Sequence, residues 1–176
     1  GKILFMAEVY WVTGLAGAGK TTIGTLLYQF LRERQPTIML DGDEMRRVTG
    51  NIFGYTPEGR REGAFMVGRL CDMLTRQGIT VVCCTISMFH DVRAWNRENI
   101  ENYREIYLKV KMETLFARDQ KGLYSHKQEN VMGVTAPFDE PRSPDLILEN
   151  DGEKSPQEQL RIIQNHFHLL DTDTDR

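Results

Sequence analysis

The segment Gly14-Leu15-Ala16-Gly17-Ala18-Gly19-Lys20-Thr21 satisfies the pattern G-x-x-x-x-G-K-[ST] at every position. Its glycines and alanines let successive backbone N–H groups turn inward as an anion-binding nest. A helix opening at its end adds the positive pole of its dipole. Such a loop needs a strand before it and a helix after it. Residues 7–13 (AEVYWVT) are a β-rich run, and residues 21–34 place Ile23, Leu26, Leu27, Phe30 and Leu31 on one side of a helical period. This context predicts a phosphate-holding loop from Gly14 to Thr22, Thr22 included, rather than a chance glycine-rich turn. Lys20 can then reach the β- and γ-phosphates of ATP, and the Thr21 hydroxyl can ligate Mg²⁺.

The rest of the chain repeats the alternation of strand and helix. Residues 37–40 predict a second strand, closed by Asp41-Gly42-Asp43. Thr56-Pro57-Glu58 reads as a helix start, with Thr56 as N-cap and Pro57 at the first helical position. That helix carries Phe65, Val67, Leu70, Met73 and Leu74 and stops near Gly78. Residues 79–87 form an almost continuous β-branched and apolar run, the mark of a central strand buried on both faces. A helix over 91–99, a strand over 105–110 and a helix starting at 112–118 follow, and a short strand at 145–148 precedes a closing helix over 156–170. Residues 119–144 are polar and rich in Gly, Pro and charge, so they read as either disordered or a functional lid. The pattern predicts an α/β, P-loop kinase-like three-layer fold with a five-stranded parallel sheet. It is expected as one domain over residues 1–176, with a lid at about 118–144. Ligands of such sheets gather at the carboxyl ends of the strands.

Composition narrows the function classes. At 176 residues, 40% hydrophobic and 27% charged, the chain is long enough to bury a core. A formal net charge of -3 gives no general attraction to nucleic acid or to an anionic membrane. Any anionic ligand must be held by local cations. The longest strongly apolar run, residues 79–86, is far short of a membrane span. The apolar stretch at residues 1–6 is too short for a secretory signal, so the cytoplasm is the expected compartment. Cys71, Cys83 and Cys84 make neither a disulfide framework nor a zinc pattern and read as buried thiols. Cys83 and Cys84, adjacent in a strand, should point to opposite faces. His166 and His168 lack partners at ligand spacing and read as surface residues.

A phosphate loop alone does not separate kinases from GTPases. The N-K-x-D segment that reads guanine is absent, and the chain is too short for a large motor ATPase. Asp41-Gly42-Asp43 falls at the carboxyl end of the second strand, facing the loop in this architecture. A carboxylate there can accept the proton of an attacking hydroxyl or hold Mg²⁺ through water. Either role fits Asp43, and Asp41 is the weaker candidate; a solvated Asp-Gly turn is the bland alternative. Arg46, Arg47, Arg60 and Arg61 can supply an anion site, since guanidinium groups bind phosphate or sulfate in a fork. One or two of the four are expected to be ordinary exposed helix arginines. Ser87 sits at the end of the buried strand, where an active-site hydroxyl would lie.

These residues resemble the adenylyl-sulfate kinases, from Val9 to about Asn150. The resemblance rests on GLAGAGKTT, LDGDEMR, GYTPEGRRE, the ISMF segment, ARDQKGLY and GVTAPFDEP followed by PDLIL. It implies transfer of the ATP γ-phosphate to the ribose 3′-hydroxyl of a small nucleotide, with Mg²⁺, and it allows a homodimer. It also implies the strand order 2-3-1-4-5. Asp43 matches the aspartate of the family's DGD motif, and Arg46 and Arg60 match substrate-binding arginines. Tyr55 matches an aromatic beside the substrate. Ser87 matches a serine phosphorylated in some members, and joins Asp43 and Lys20 as a candidate catalytic residue. Ile86, Met88, Phe89 and Phe138 fall in matched substrate-side segments. Arg118 and residues 119–124 match the mobile lid over ATP, with Lys121 near the phosphates.

The departures concentrate on the acceptor side. R-R-E-N becomes Arg60-Arg61-Glu62-Gly63, and I-S-P-Y-R becomes Ile86-Ser87-Met88-Phe89-His90. F-T-G-I-D becomes Val131-Met132-Gly133-Val134-Thr135, which removes a phenylalanine that stacks on the substrate adenine in the family. Base–aromatic stacking is worth about 1–3 kcal/mol, and Val131 cannot supply it. The resemblance therefore implies either adenylyl-sulfate or a smaller pyrimidine acceptor, as in the cytidine diphosphoramidate kinases of capsule modification. A non-catalytic ATP-binding regulator on the same fold is the alternative. So is one half of a sulfurylase–kinase assembly acting through a separate chain.

Overall fold

A computed structural model describes residues 7–118 and 138–170. Five parallel strands form one sheet in the order β2-β3-β1-β4-β5. Strand β1 (Val9–Thr13) lies in the middle and is buried at all five positions. It is flanked by β3 (Thr80–Thr85) and β4 (Tyr103–Lys109), with β2 (Thr37–Asp41) and β5 (Leu146–Glu149) at the edges. The order agrees with that implied by the family resemblance. It brings the carboxyl ends of β1, β2 and β3 together.

The pleat sorts alternate residues of each strand to opposite faces. Tyr10, Val12, Val82, Cys84, Ile106 and Leu108 pack with Ile23, Leu27 and Leu31 of α1 (Lys20–Arg32) and Ile163 of α6 (Pro156–His166). On the other face Val9, Trp11, Val81 and Cys83 meet α3 (Pro57–Arg76) and α4 (His90–Asn99) through Val67, Cys71 and Val92. Cys83 and Cys84 therefore do face opposite ways, and all three thiols are buried. With both faces covered, β1 and β3 are buried at nearly every position.

The helix starts follow their caps. Thr56 accepts from the Gly59 N–H at 3.1 Å, with Pro57 as the first helical residue of α3. Ser155 and Glu158 form a reciprocal capping box that opens α6. That last helix stops at His166 rather than reaching residue 170, and Phe167 caps it. One helix was not expected. Asp41-Gly42-Asp43 is no simple turn, because α2 (Gly42–Val48) begins there, with Asp41 as its N-cap. None of its seven residues is fully buried, so no apolar period announces it. Its acids stand in the first turn and its arginines in the last, which suits the helix dipole. The remaining helix, α5 (Met112–Arg118), follows β4. Lys121 and Val131, like the rest of 119–137, lie outside the described residues.

Candidate functional site

A cleft of about 720 Å³ opens where the strands end. Its floor is the glycine loop. Gly17 (φ 86°) and Gly19 (φ 97°) both adopt left-handed backbone that a side chain would strain. They make the turn that brings the loop into the start of α1. Thr21 and Thr22, in its first turn, are exposed and line the cleft with Ala16. Gly14, Leu15 and Ala18 are buried behind it, so any part they take in binding must pass through their backbone. Lys20 curls over the loop, its Nζ donating to the Leu15 carbonyl at 2.9 Å.

Arg118, at the end of α5, fastens the loop to the far wall. It donates to the Gly17 carbonyl at 3.1 Å and to the Asn150 carbonyl at 2.6 Å. The Asn150 side chain in turn donates to the Ala18 carbonyl at 2.8 Å. Asn150, Gly152, Lys154, Ser155 and Pro156 form this wall, and sequence reasoning named none of them as site residues. Their signal was the capping box directly after a strand, a second strand–loop–helix junction beside the first.

The opposite wall holds the acceptor candidates. Asp41 and Asp43 line the cleft, and the Asp41 carboxylate is occupied as the helix cap, accepting from the Asp43 N–H at 3.4 Å. Asp43 is exposed in the first turn of α2. The four arginines divide evenly. Arg47 pairs with Glu44 and Arg61 with Asp91 on the outer surface, while Arg46 and Arg60 line the cleft. Burial, and then the charge of Arg46, pull the Arg60 guanidinium below its ordinary value. Two cations pressed together in a partly buried wall favour an anion between or beside them.

At the end of β3, Thr85 and Ser87 share a hydrogen bond of 2.5 Å between their hydroxyls. Both line the cleft, with Ile86 and Phe89. Met88 does not. Its side chain is fully buried beside Leu15, Tyr107 and Leu115, with its sulfur 3.5 Å from the Thr13 hydroxyl. The position after Ser87 thus points into the fold rather than toward a ligand. Tyr55 and Phe138 are 52% and 37% exposed and stand outside the cleft lining. The Tyr55 ring carries the guanidinium of Arg46 over its face at 4.2 Å. Phe53, Gly59 and Gly63 do line the cleft, and Phe53 was not foreseen. Among the described residues no helix is long and apolar enough to cross a membrane, and no group of three or more His, Cys, Asp or Glu gathers as a metal site.

Comparison with known proteins agrees with this architecture. The family model for adenylylsulphate kinase matches residues 6–149. A cytidine diphosphoramidate kinase of Campylobacter jejuni subsp. jejuni serotype O:2 is 40% identical over 160 residues, covering 88% of this chain and 93% of that protein. An adenylyl-sulfate kinase of Paraburkholderia xenovorans is 36% identical over 149 residues, covering 81% and 83%. Among solved structures, the Mycobacterium tuberculosis APS kinase in complex with AMPPNP and APS superposes with a TM-score of 0.83 at 25% identity, covering 93% of this chain and 98% of that one.

Proposed function

The chain belongs to the adenylylsulphate kinase family, and on that premise we propose that it moves the γ-phosphate of ATP to the ribose 3′-hydroxyl of a nucleotide with an anionic 5′ tail. Family membership makes it an ATP-using phosphotransferase with a hydroxyl acceptor. The observation that carries the finer reading is the joining of two half-sites in one cleft. Lys20, Thr21 and Arg118 stand on the donor side, and Asp43 with the Arg46–Arg60 pair stands on the acceptor side.

The residues divide the work accordingly. The loop's N–H groups and the start of α1 hold the donor phosphates. The Lys20 ammonium and the Arg118 guanidinium face the charge that builds on the transferred group. Asp43 orients the ribose hydroxyl or takes its proton as the oxygen attacks in line. Arg46 and Arg60 hold the acceptor's 5′ tail by charge-assisted hydrogen bonds. The oxygen donors Thr21, Asp41 and Asp43, all on the cleft wall, suit a hard cation bound mainly through nucleotide phosphates and water. Mg²⁺ there would neutralise phosphate charge.

We take cytidine 5′-diphosphoramidate as the preferred acceptor over adenylyl-sulfate, and capsule modification as its setting. Gly63 and Val131 stand where family members that act on the purine carry an amide and a stacking ring. The 40% identity to a cytidine diphosphoramidate kinase favours the same side. The test is ATP consumption by the purified protein with each acceptor, the product phosphate located by phosphorus NMR. Turnover of the cytidine compound with a new 3′-phosphate is expected. Ordinary kinase efficiency with adenylyl-sulfate, and none with the cytidine compound, would falsify the preference.

A further inference from the structure

Between β3 and α4 the chain passes through Ile86, Ser87, Met88 and Phe89 without regular structure, and three of these four line the cleft. Their backbone groups have no ladder to join, so other parts of the fold must hold them. At one end the Thr13 hydroxyl donates to the Ile86 carbonyl at 2.8 Å. The other end is held by residues outside the cleft lining. The Asp139 N–H donates to the Met88 carbonyl at 2.7 Å, and the Asp139 carboxylate accepts from the His90 N–H at 3.1 Å. Phe89, the N-cap of α4, makes no side-chain cap, and this carboxylate serves the helix start in its place.

Arg93, in the first turn of α4 and only 5% exposed, ties these pieces together. Its Nη2 donates to the Asp139 carbonyl at 2.6 Å and to His90 Nδ1 at 3.0 Å, and its Nη1 lies 3.5 Å from the Ser87 carbonyl. A guanidinium carries no acceptor, so Nδ1 is the unprotonated ring nitrogen. The proton of the neutral imidazole then sits on Nε2, 3.9 Å from Asp139 Oδ1. The I-S-P-Y-R of the family resemblance puts arginine at position 90, and an arginine could not accept this bond. Burial pulls the Arg93 guanidinium below its ordinary value, against Glu105, Tyr103, Asp139 and Tyr107, which face it. Any cation would balance the buried Glu105 carboxyl. Reaching acceptors on three separate segments takes the fork of an arginine.

We propose that Arg93, held by His90, is a positioning residue that sets Ser87 and Phe89 against the cleft, and that this clamp forms only while the His90 imidazole is neutral. The inference rests on the nucleotide-acceptor reading above, since Ser87 and Phe89 stand on its substrate side. Protonating Nδ1 removes the acceptor and sets a second cation against Arg93. Burial lowers the His90 value; the Arg142 and Arg93 charges act the same way, and the Asp139 and Asp91 carboxylates oppose them. The clamp is therefore intact above the ordinary histidine value of about 6.5 and is lost as pH falls below it. A site held this way is preorganised from behind, by residues that never touch the ligand.

The test is steady-state kinetics on the whole chain from about pH 5 to about pH 8, with cytidine 5′-diphosphoramidate and adenylyl-sulfate as acceptors and thermal melting as the check on folding. Arg93→Lys keeps the buried charge but cannot reach all three acceptors. Its kcat/KM for the acceptor should fall about 100-fold, the scale of a misplaced reacting group, with the KM for ATP and the melting temperature unchanged. His90→Asn puts an amide oxygen where Nδ1 stands. It should keep the wild-type efficiency at the alkaline end and lose the wild-type decline at the acid end. An Arg93→Lys enzyme as efficient as wild type overturns the clamp, because charge alone would then suffice. Parallel loss of ATP affinity and melting temperature also overturns it, since the effect would then be structural. Superimposable pH profiles for wild type and His90→Asn overturn the part given to His90. Wild-type protein that turns over neither acceptor overturns the nucleotide-acceptor reading and this inference with it.

Discussion

The Leu15 carbonyl oxygen accepts two bonds at once, from the Ala18 N–H at 3.0 Å and from Lys20 Nζ at 2.9 Å. The lysine charge is thus held at the rim of the loop, where a phosphate oxygen competes for it with a full negative charge. Removing it by Lys20→Ala should lower kcat about 10²–10³-fold, the scale of losing one preorganised charge-stabilising donor. The neighbouring aspartates give a sharper contrast. Asp41 caps α2, whereas Asp43 stands exposed in the first turn. Asp43→Ala should cost about 10²–10⁴ in turnover through loss of the hydroxyl's proton acceptor, and lower stability only by the roughly 0.3–1 kcal/mol of a first-turn charge. Asp41→Ala should instead cost about 0.5–2 kcal/mol of stability, near the lower end because the capping bond is 3.4 Å long. Steady-state rates and denaturation curves on the two variants check both halves. Near-normal turnover in Asp43→Ala would remove that residue from the mechanism.

At the scale of elements, the strand–loop–helix junction was legible because its chemistry and its period coincide. The apolar residues of α1 mark its buried face, and the glycines mark its start. The α2 helix was illegible for the opposite reason: it buries no residue fully and is written in charges and a cap alone. The wall at Asn150 to Pro156 was missed because its members act through a bond to the loop or through position in the fold. No residue type there signals a nucleotide. The arginines were half legible: sequence suggested that one or two of the four were ordinary, but only Glu44 and Asp91 in space show which two. The packing of α1 on the sheet depends on a feature that propensity would misjudge. Gly24 lies mid-helix, where alanine is usually better by about 1 kcal/mol. Here a Cβ would overlap the Cys84 sulfur of β3. Gly24→Ala should therefore destabilise, by about 1–3 kcal/mol of overpacking. Adding Cys84→Ala to Gly24→Ala should recover part of the loss, a coupling readable in a double-mutant cycle of urea midpoints. Strict additivity would rule out the contact as the cause.

Across the whole molecule, Cys71, Cys83 and Cys84 report on how the sheet opens. Their exposures are 0%, 1% and 2%. Burial pushes the Cys84 thiol up to about 12, and the neighbouring Cys71 thiol together with burial raises that of Cys83. At pH 8 Cys83 and Cys84 offer a reagent almost no thiolate, and all three thiols are buried, so labelling requires opening. Cys83 and Cys84 lie on β3, which is hydrogen-bonded on one side to β1 and on the other to β2, and the two thiols face opposite core clusters. Separating either cluster from the sheet uncovers β3. ATP at about 100 times its Kd stabilises the folded state by about 2.7 kcal/mol, equivalent to a roughly 100-fold smaller open population. If the sheet opens as one unit, mass spectrometry should show all three thiols slowed by that same factor. Selective protection of Cys84, whose sulfur lies 3.4 Å from the Lys20 carbonyl beneath the loop, would instead mean that nucleotide tightens only the face carrying α1. Cooperative opening is the expected outcome because the two clusters share β1, the strand that also carries the phosphate loop.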